Sequence, residues 1–197
     1  MDDLLKLDPS KGYTYADYLT WRFKERVELI KGKIFEMSPA PKRVHQEISL
    51  NITLQIGNYL KGKACKLYEA PFDVRFPLES GVSDDQITTV VQPDLCVICD
   101  PAKLDDSGCL GAPDLIIEIL SPSSSKKDAQ NKYELYQECG VKEYWLVHIT
   151  DQLVDVFDLR GNEFKLRKIF ANPDRIESSA VDGLLVDLGD VFETLTL

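Results

Sequence analysis

The sequence has no apolar run long enough to cross a bilayer. A membrane-spanning helix needs about 20 predominantly apolar residues, whereas the longest runs here are short, and residues 115–120 are interrupted by Glu118. The amino terminus, Met1-Asp2-Asp3, is acidic and lacks the basic and apolar regions of a signal peptide. We therefore expect no membrane association and a cytoplasmic location.

The cysteines lack the spacing of a disulfide framework or a zinc site. Their number, five, is odd. Cys96-Val-Ile-Cys99 has CxxC spacing, but it lies in an apolar, strand-like run, and no second Cys or His pair completes a zinc site. We predict that the cysteines are small buried apolar residues, and metal or redox use of the CxxC pair is the less favoured alternative.

Basic side chains are outnumbered, 23 Lys and Arg against 33 Asp and Glu, so the formal net charge is −10. Residues 71–140 hold 13 acidic side chains against 5 basic ones. Because contacts between basic side chains and phosphates drive nucleic-acid affinity, the chain is a poor general binder of nucleic acid. Local binding remains open through Lys42-Arg43 or the lysines of residues 61–66. The acidic stretch indicates either a cation-binding site or, more commonly, a solvated acidic surface.

The sequence lacks the motifs of several common enzyme classes and the signs of a repeat or multidomain protein. There is no glycine-rich phosphate loop, and no ordered nucleophile, base and acid of a serine or cysteine hydrolase. There is also no internal repeat, low-complexity segment or linker. We therefore expect one domain over residues 1–197, which is enough chain for a substantial core.

The hydrophobic pattern predicts alternating helices and strands. A short helix begins at Thr14 and runs to about Phe23, a hairpin turns at Lys31-Gly32, and a long amphipathic helix spans residues 43–60. The further predicted elements are strands at 65–68, 72–76, 87–91 and 94–98, a loop at 100–111, a strand at 114–120, a helix from a capping box at Ser125 to Cys139, and strands at 144–149, 153–159, 164–170 and 184–188. This order predicts an α/β fold, with a mixed sheet, flanking helices and an added β-hairpin.

Glu118 occupies an unusual position in the strongest predicted strand. Alternate side chains of a strand share a face, so Glu118 lies with Ile116 and Leu120, while the other face is wholly apolar. A strand with two apolar faces is usually central and covered on both sides. An ionised glutamate there is costly unless it is paired or bound to a metal. The alternatives are an open strand end, or pairing with a buried Lys or Arg.

Asp94 follows Pro93 at the start of another apolar run. By itself, a Pro-Asp pair is commonly just a turn. Two carboxylates on neighbouring strands, however, can hold a hard divalent cation through the oxygen ligands that Mg²⁺ prefers. Such a cation activates water and neutralises charge on a phosphate. Asp94 and Glu118 are therefore candidate ligands for Mg²⁺, with Mn²⁺ as a substitute.

Several motifs follow one another in a specific order. They are Pro93-Asp94, residues 112–123 around Glu118, residues 128–136 and residues 140–147, preceded by residues 27–37 and the His45-Gln46 helix start. In this order the chain resembles the Uma2 (DUF820) family, which is placed in the PD-(D/E)xK restriction-endonuclease-like superfamily. The resemblance covers roughly residues 13–170 and is specific only when the motifs are taken together.

The resemblance implies a restriction-endonuclease-like core and a metal-dependent endonuclease that hydrolyses phosphodiester bonds of nucleic acid, with DNA as the expected substrate. The superfamily pattern places a lysine two residues after the strand carboxylate, where this chain has Leu120. The resemblance implies that Lys132, on the next helix, is the migrated catalytic lysine. The alternative is a surface i,i+4 pair between Lys132 and Asp128.

Three further residues are predicted to support the site. Glu36, at the end of the second hairpin arm, would add a ligand or orient water, or would be an exposed strand residue; Glu28 is the weaker candidate of the two. His45 would contact phosphate or a metal-bound water, although a polar histidine at a helix start is more often merely solvated. Gln46 would act similarly.

Two alternatives to a DNA nuclease remain open at this point. A non-catalytic nucleic-acid-binding or assembly module with the nuclease fold would account for Leu120 and for the net charge of −10. A nuclease acting on RNA or on a structured substrate would use the same residues. A homodimer is also expected from the resemblance, because many restriction-type nucleases pair two sites for two strands, although the sequence shows no diagnostic interface.

Overall fold

A computed structural model describes residues 4, 7–37, 42–79, 81–120 and 126–193, with the side chains of residues 126–128 left out. The strands of these residues form two six-stranded sheets and one two-stranded sheet. In chain order the strands are β1 (Val27–Ile30), β2 (Lys33–Glu36), β3 (Lys66–Glu69), β4 (Val74–Arg75), β5 (Val90–Val91), β6 (Leu95–Ile98), β7 (Leu104–Asp105), β8 (Gly108–Leu110), β9 (Leu115–Leu120), β10 (Glu143–His148), β11 (Leu153–Arg160), β12 (Glu163–Ala171), β13 (Arg175–Glu177) and β14 (Leu185–Asp187). The helices are α1 (Tyr15–Tyr18), α2 (Arg43–Leu60), a 3₁₀ helix (Pro101–Lys103), α3 (Lys126–Glu138) and α4 (Leu188–Val191). The predicted mixed α/β fold is confirmed.

The predicted hairpin forms as β1 and β2 in the first sheet, whose order is β2-β1-β5-β4-β8-β7. Lys31 and Gly32 have φ angles of 52° and 75°, as a two-residue type I′ turn requires. The register pairs Glu28 with Phe35 and Val27 with Glu36. Because paired residues share a face and successive residues alternate, Glu28 and Glu36 lie on opposite faces of the hairpin.

The second sheet has the order β12-β11-β10-β9-β6-β3 and places β9 in its interior. Strand β9 pairs with β10 in parallel and with β6 antiparallel, and α3 forms the crossover from β9 to β10. One face of β9 packs in a core with α2, through residues that include Ile117 and Ile52. The other face packs in a core with α3, through Ile116 and Tyr136. Cover on both faces accounts for the apolar character of β9 on both sides.

Three parts of the chain differ from the predicted elements. The first helix ends at Tyr18 rather than near Phe23. The predicted loop at 100–111 contains the 3₁₀ helix and the paired strands β7 and β8, which are too short to show an alternating pattern. Near the end of the chain, the strand predicted at 184–188 is β14, and the structure also contains β13 and α4, which were not predicted. The predicted cap at Ser125 lies outside the described residues.

The cysteines depart from the expectation of free, buried apolar residues. Cys65 and Cys99 form a disulfide, whereas Cys96 and Cys109 are free and buried and Cys139 is free and half-buried. The β3–β6 ladder ends at the pair Lys66 and Ile98, so Cys65 and Cys99 follow as the next opposed residues. The prediction failed because this proximity depends on strand register. Over the described ranges, no helix is both long and apolar enough to span a membrane.

Candidate active site

Glu118 lies in the interior of β9, and its carboxylate meets two side chains of α3. Its side chain accepts a hydrogen bond of 2.6 Å from the Tyr136 hydroxyl and one of 3.1 Å from Lys132 Nζ, both at Oε1. Lys132 and Tyr136 are four residues apart, so they lie on one face of the helix. Helix α3 therefore delivers an ammonium and a hydroxyl to the buried carboxylate, as the resemblance implies for Lys132.

Lys132 also contacts a second glutamate. Its Nζ lies 3.2 Å from Oε1 of Glu28, and both residues are buried, with 7% and 3% of their surface exposed. The same Glu28 oxygen accepts a hydrogen bond from the backbone N–H of Gln92. Lys132 is therefore a buried lysine and not a surface one, and the side chain of Asp128, its predicted surface partner, lies outside the described residues. The predicted alternative, that Glu118 pairs with a buried lysine, is confirmed by this contact. The contact is compatible with a catalytic role of Lys132 as well as with a structural one.

Asp94 stands opposite Glu118 across two paired strands. The β6–β9 ladder begins with Leu95 opposite Ile117, and one further step in this register brings Asp94 to Glu118. Directly opposed residues share a face, with Cβ atoms about 4.5–5.5 Å apart. Oδ2 of Asp94 accepts a hydrogen bond of 2.8 Å from the backbone N–H of Ile119. The strand pairing thus brings the two predicted metal ligands together.

His45 joins this group from the first turn of α2. Its Nε2 lies 3.3 Å from Oδ2 of Asp94, and only 8% of the residue is exposed. Within the described part of the chain, its buried Nδ1 has no hydrogen-bond partner. Burial and this contact contradict the alternative of a solvated histidine. Burial by itself would lower the pKa of His45, but the hydrogen bond to Asp94 and the charges of Asp94 and Glu118 outweigh it and raise that pKa.

Negative charge is concentrated around Glu118. Burial raises the pKa of Glu118 to about 7; the ammonium of Lys132 opposes this rise, whereas Asp94 and Glu28 add to it. Glu118 and Glu28 both contact the ammonium of Lys132, and Asp94 adds a third carboxylate beside Glu118. A divalent cation would offset this negative charge.

The remaining predicted residues do not join the cluster. Glu36 is exposed at the end of β2, on the face of the hairpin opposite Glu28. Gln46 is exposed on α2 beside the buried His45. The hairpin glutamate that reaches the site is therefore Glu28, which sequence analysis ranked second. Its signal was available, because Glu28 is the single charged residue of Val27–Ile30, as Glu118 is of β9.

The two opposed carboxylates of the site fit a Mg²⁺ ion that keeps several of its waters. Within the described ranges, no group of three or more His, Cys, Asp and Glu side chains is arranged to hold a metal. Mg²⁺ is usually bound through one or two carboxylates and keeps several waters. Asp94 and Glu118, which the strand register sets opposite each other, fit that pattern. These are the residues that would hold the cation.

Comparisons with known proteins agree with the resemblance found in the sequence. The Uma2 family model, described as "Putative restriction endonuclease", matches residues 15–189. The uncharacterized protein slr1290 from Synechocystis sp. (strain ATCC 27184 / PCC 6803 / Kazusa) is 27% identical over 168 residues, which cover 84% of each protein. A crystal structure described as a putative nuclease belonging to DUF820, from Anabaena variabilis ATCC 29413, has a TM-score of 0.69 at 21% identity, covering 92% of this chain and 98% of that one. At that identity the structural likeness shows the fold.

Proposed function

The chain belongs to the Uma2 family, and on that premise we propose that it is a metal-dependent endonuclease that hydrolyses phosphodiester bonds of nucleic acid, with DNA as the substrate. The observation that carries the proposal is the convergence of charged groups at the end of the β6–β9 pair. Asp94 stands opposite Glu118 in the strand register, and the Lys132 ammonium contacts Glu118. This set of groups suits hydrolysis of a phosphodiester.

Each residue of the cluster has a distinct role in this proposal. Asp94 and Glu118 would hold Mg²⁺ or Mn²⁺, which would supply an activated water and offset charge developing on the phosphate. Lys132 orients the attacking water and stabilises negative charge on the phosphate. Glu28 and Tyr136 are positioning residues, because they contact Lys132 and Glu118 within the buried cluster. His45 holds Asp94 from the side of α2.

A plasmid-nicking assay tests the proposal. The purified chain in Mg²⁺ or Mn²⁺ should convert supercoiled plasmid to the nicked form, and EDTA should stop the conversion. Glu118→Ala should abolish it, because the cation then loses one of its two carboxylates. Nicking by Glu118→Ala at the wild-type rate would overturn the assignment of the site.

Lys132 gives a second prediction, which concerns catalysis rather than metal binding. Lys132→Met leaves an unbranched side chain, one heavy atom shorter, but removes its charge, so nicking should fall by about 10²–10³-fold, the usual cost of losing one group that stabilises transition-state charge. Cation affinity should stay the same or rise, because one positive charge leaves the cluster. Both are measured on the same preparation, by nicking rate and by calorimetric titration with Mn²⁺. Unchanged nicking would exclude Lys132 from the chemistry.

The two alternatives are separated by different experiments. A nuclease acting on RNA predicts faster cleavage of RNA than of single-stranded or duplex DNA under matched conditions. A non-catalytic module predicts no saturable binding of Mg²⁺ or Mn²⁺. The absence of a lysine at position 120 counts less toward that module, because Lys132 Nζ lies 3.1 Å from Glu118.

A homodimer and a cytoplasmic location stay predictions. The Cys65–Cys99 disulfide counts against the cytoplasmic location, because disulfides are rare in cytosolic proteins.

A further inference from the structure

A recess lies near the charged cluster, and none of the side chains of the cluster lines it. Its volume is about 460 Å³, within the range of roughly 300–1,000 Å³ typical of ligand pockets. The recess lies between the segment that follows α1, the start of β1, and Pro71 and Gln92. Its wall includes three aromatic residues, Tyr18, Trp21 and Phe23. The recess is therefore a concave surface with an aromatic wall.

The same wall carries positive charge in an otherwise acidic chain. Residues 21–24 alternate aromatic and basic side chains, and Glu25 and Arg26 follow, so this segment holds Arg22, Lys24 and Arg26 against one acid. Arg22, Arg26 and Glu25 line the recess. The chain as a whole has a net charge of −10. Local positive charge beside aromatic rings is the combination that binds single-stranded nucleic acid, through phosphate contacts and base stacking.

The rings and the cations are held in place by neighbouring contacts. The Trp21 ring lies edge to face with Tyr13 at 5.4 Å and is tilted against Phe23 at 5.3 Å. Arg26 donates a hydrogen bond of 2.5 Å to the Gln92 side chain, and Gln92 donates one of 3.2 Å to the Tyr18 hydroxyl. This wall is a preorganised platform, which lowers the entropic cost of ligand binding.

Gln92 connects the recess to the charged cluster. Its side chain lines the recess, whereas its backbone N–H donates to Glu28 at 2.9 Å. Asp94 follows Gln92 by two residues, so their Cα atoms are at most about 7 Å apart. If a nucleotide is bound in the recess, a phosphate of the same strand would therefore lie close to the charged cluster.

We propose that this recess binds an unstacked base of a single-stranded nucleic acid, stacked against Trp21, with Arg22 and Arg26 near the adjoining phosphates. The inference rests on the proposed nuclease function and deepens it, because it makes a single strand or an unpaired segment the preferred substrate. Base–aromatic stacking tolerates every base, so the recess selects for an accessible base rather than for a sequence.

Tryptophan fluorescence gives a direct test, because the chain has two tryptophans. Trp145 is 1% exposed in the core, whereas Trp21 lines the recess. Oligothymidylate added to the full chain in EDTA should quench fluorescence saturably. An abasic oligonucleotide of equal length and a blunt duplex should quench little. The EDTA prevents cleavage, so binding is measured whether or not the chain is a nuclease.

Two variants complete the test, with binding followed by anisotropy of a labelled oligothymidylate. Trp21→Leu should weaken binding by about tenfold or more, because stacking of one base is lost. Arg26→Gln should weaken it less and reduce its salt dependence. Lys165→Gln is the matched control, because Lys165 is an exposed cation on β12, and it should bind as the wild type does.

The outcomes separate this proposal from the nuclease proposal. Unchanged fluorescence while the labelled oligothymidylate binds, or equally tight binding of the abasic oligonucleotide, would overturn base binding in the recess. Plasmid nicking in that case would leave the nuclease proposal standing. Saturable quenching without cleavage of any nucleic acid would instead support the recess and count against the nuclease.

Discussion

Replacing Glu118 by glutamine should lower plasmid nicking by at least about 10²–10³-fold, the range seen when one group that stabilises transition-state charge is removed. Glutamine has the same shape as glutamate, and its carbonyl oxygen can still accept the hydrogen bond from Tyr136. What it lacks is the negative charge that would hold the cation opposite Asp94. The loss should therefore be a loss of chemistry, and it is measured as the nicking rate in saturating Mg²⁺.

The same variant should be more stable than the wild type in metal-free buffer at pH 8. The folded pKa of Glu118 is about 7, above its ordinary value of 4.5, so the folded state resists ionisation. The loss of folding stability caused by ionising Glu118 grows as the pH rises from about 4.5 to 7. It persists above that range and reaches up to about 3 kcal/mol. Glutamine avoids this cost. Urea unfolding should show a gain at pH 8 that shrinks toward pH 5.

Stability and activity moving in opposite directions would identify Glu118 as a functional residue. Functional sites commonly sacrifice stability for a charge that the reaction needs. A Glu118→Gln chain that lost nicking and stability together would instead indicate a structural glutamate whose pairing with Lys132 supports the fold. That result would remove the strongest reason to place the active site at the β6–β9 pair.

Glu143 gives the second large expected effect, and the effect should fall on stability. Glu143 is fully buried on β10, yet it is surrounded by donors. They are the side chains of Arg167, Trp145 and Ser178 and the backbone N–H groups of Ser179 and Ala180. In Glu143→Gln, the new amide group would face donors whichever way it turned. Unfolding free energy should fall by about 3–5 kcal/mol, as when a buried ion pair is broken.

The two buried glutamates serve as matched controls for each other. At a temperature where Glu143→Gln is folded, its nicking rate per folded molecule should stay within a few-fold of the wild type, because Glu143 contacts none of the cluster. Denaturant unfolding followed by circular dichroism gives the folded fraction for this comparison. A nicking loss in Glu143→Gln as large as that in Glu118→Gln would mean that activity follows general stability rather than the cluster.

The elements that the sequence predicted well are those whose residue pattern is complete within the element itself. Alternation along β9 placed Glu118 on one face with Ile116, and both core clusters agree with that division. The hairpin and α2 also appeared, because turn residues and helical spacing are local. Elements that depend on distant partners were missed. Strand β8 is one of them, because it exists through pairing with β4 and β7.

The candidate site shows the same division between local and long-range information. Asp94 and Glu118 were recognisable because each interrupts or begins an apolar run, and Lys132 was identified through the family resemblance. The structure places Glu28 rather than Glu36 at the cluster, because the register of the hairpin decides which glutamate faces α3. The recess at Trp21 was also missed, because Pro71 and Gln92 reach it from distant parts of the chain.

Cation binding by the cluster tests the central claim most directly, because it requires no knowledge of the substrate. Calorimetric titration of the full chain with Mn²⁺ should show saturable binding in the wild type. Asp94→Asn keeps an oxygen that can accept the hydrogen bond from the Ile119 N–H, so the local structure should persist. Asp94→Asn and Glu118→Gln should each weaken Mn²⁺ binding by at least about tenfold, because each removes one carboxylate ligand. No saturable binding by the wild type, or equal binding by all three chains, would contradict a metal shared by Asp94 and Glu118.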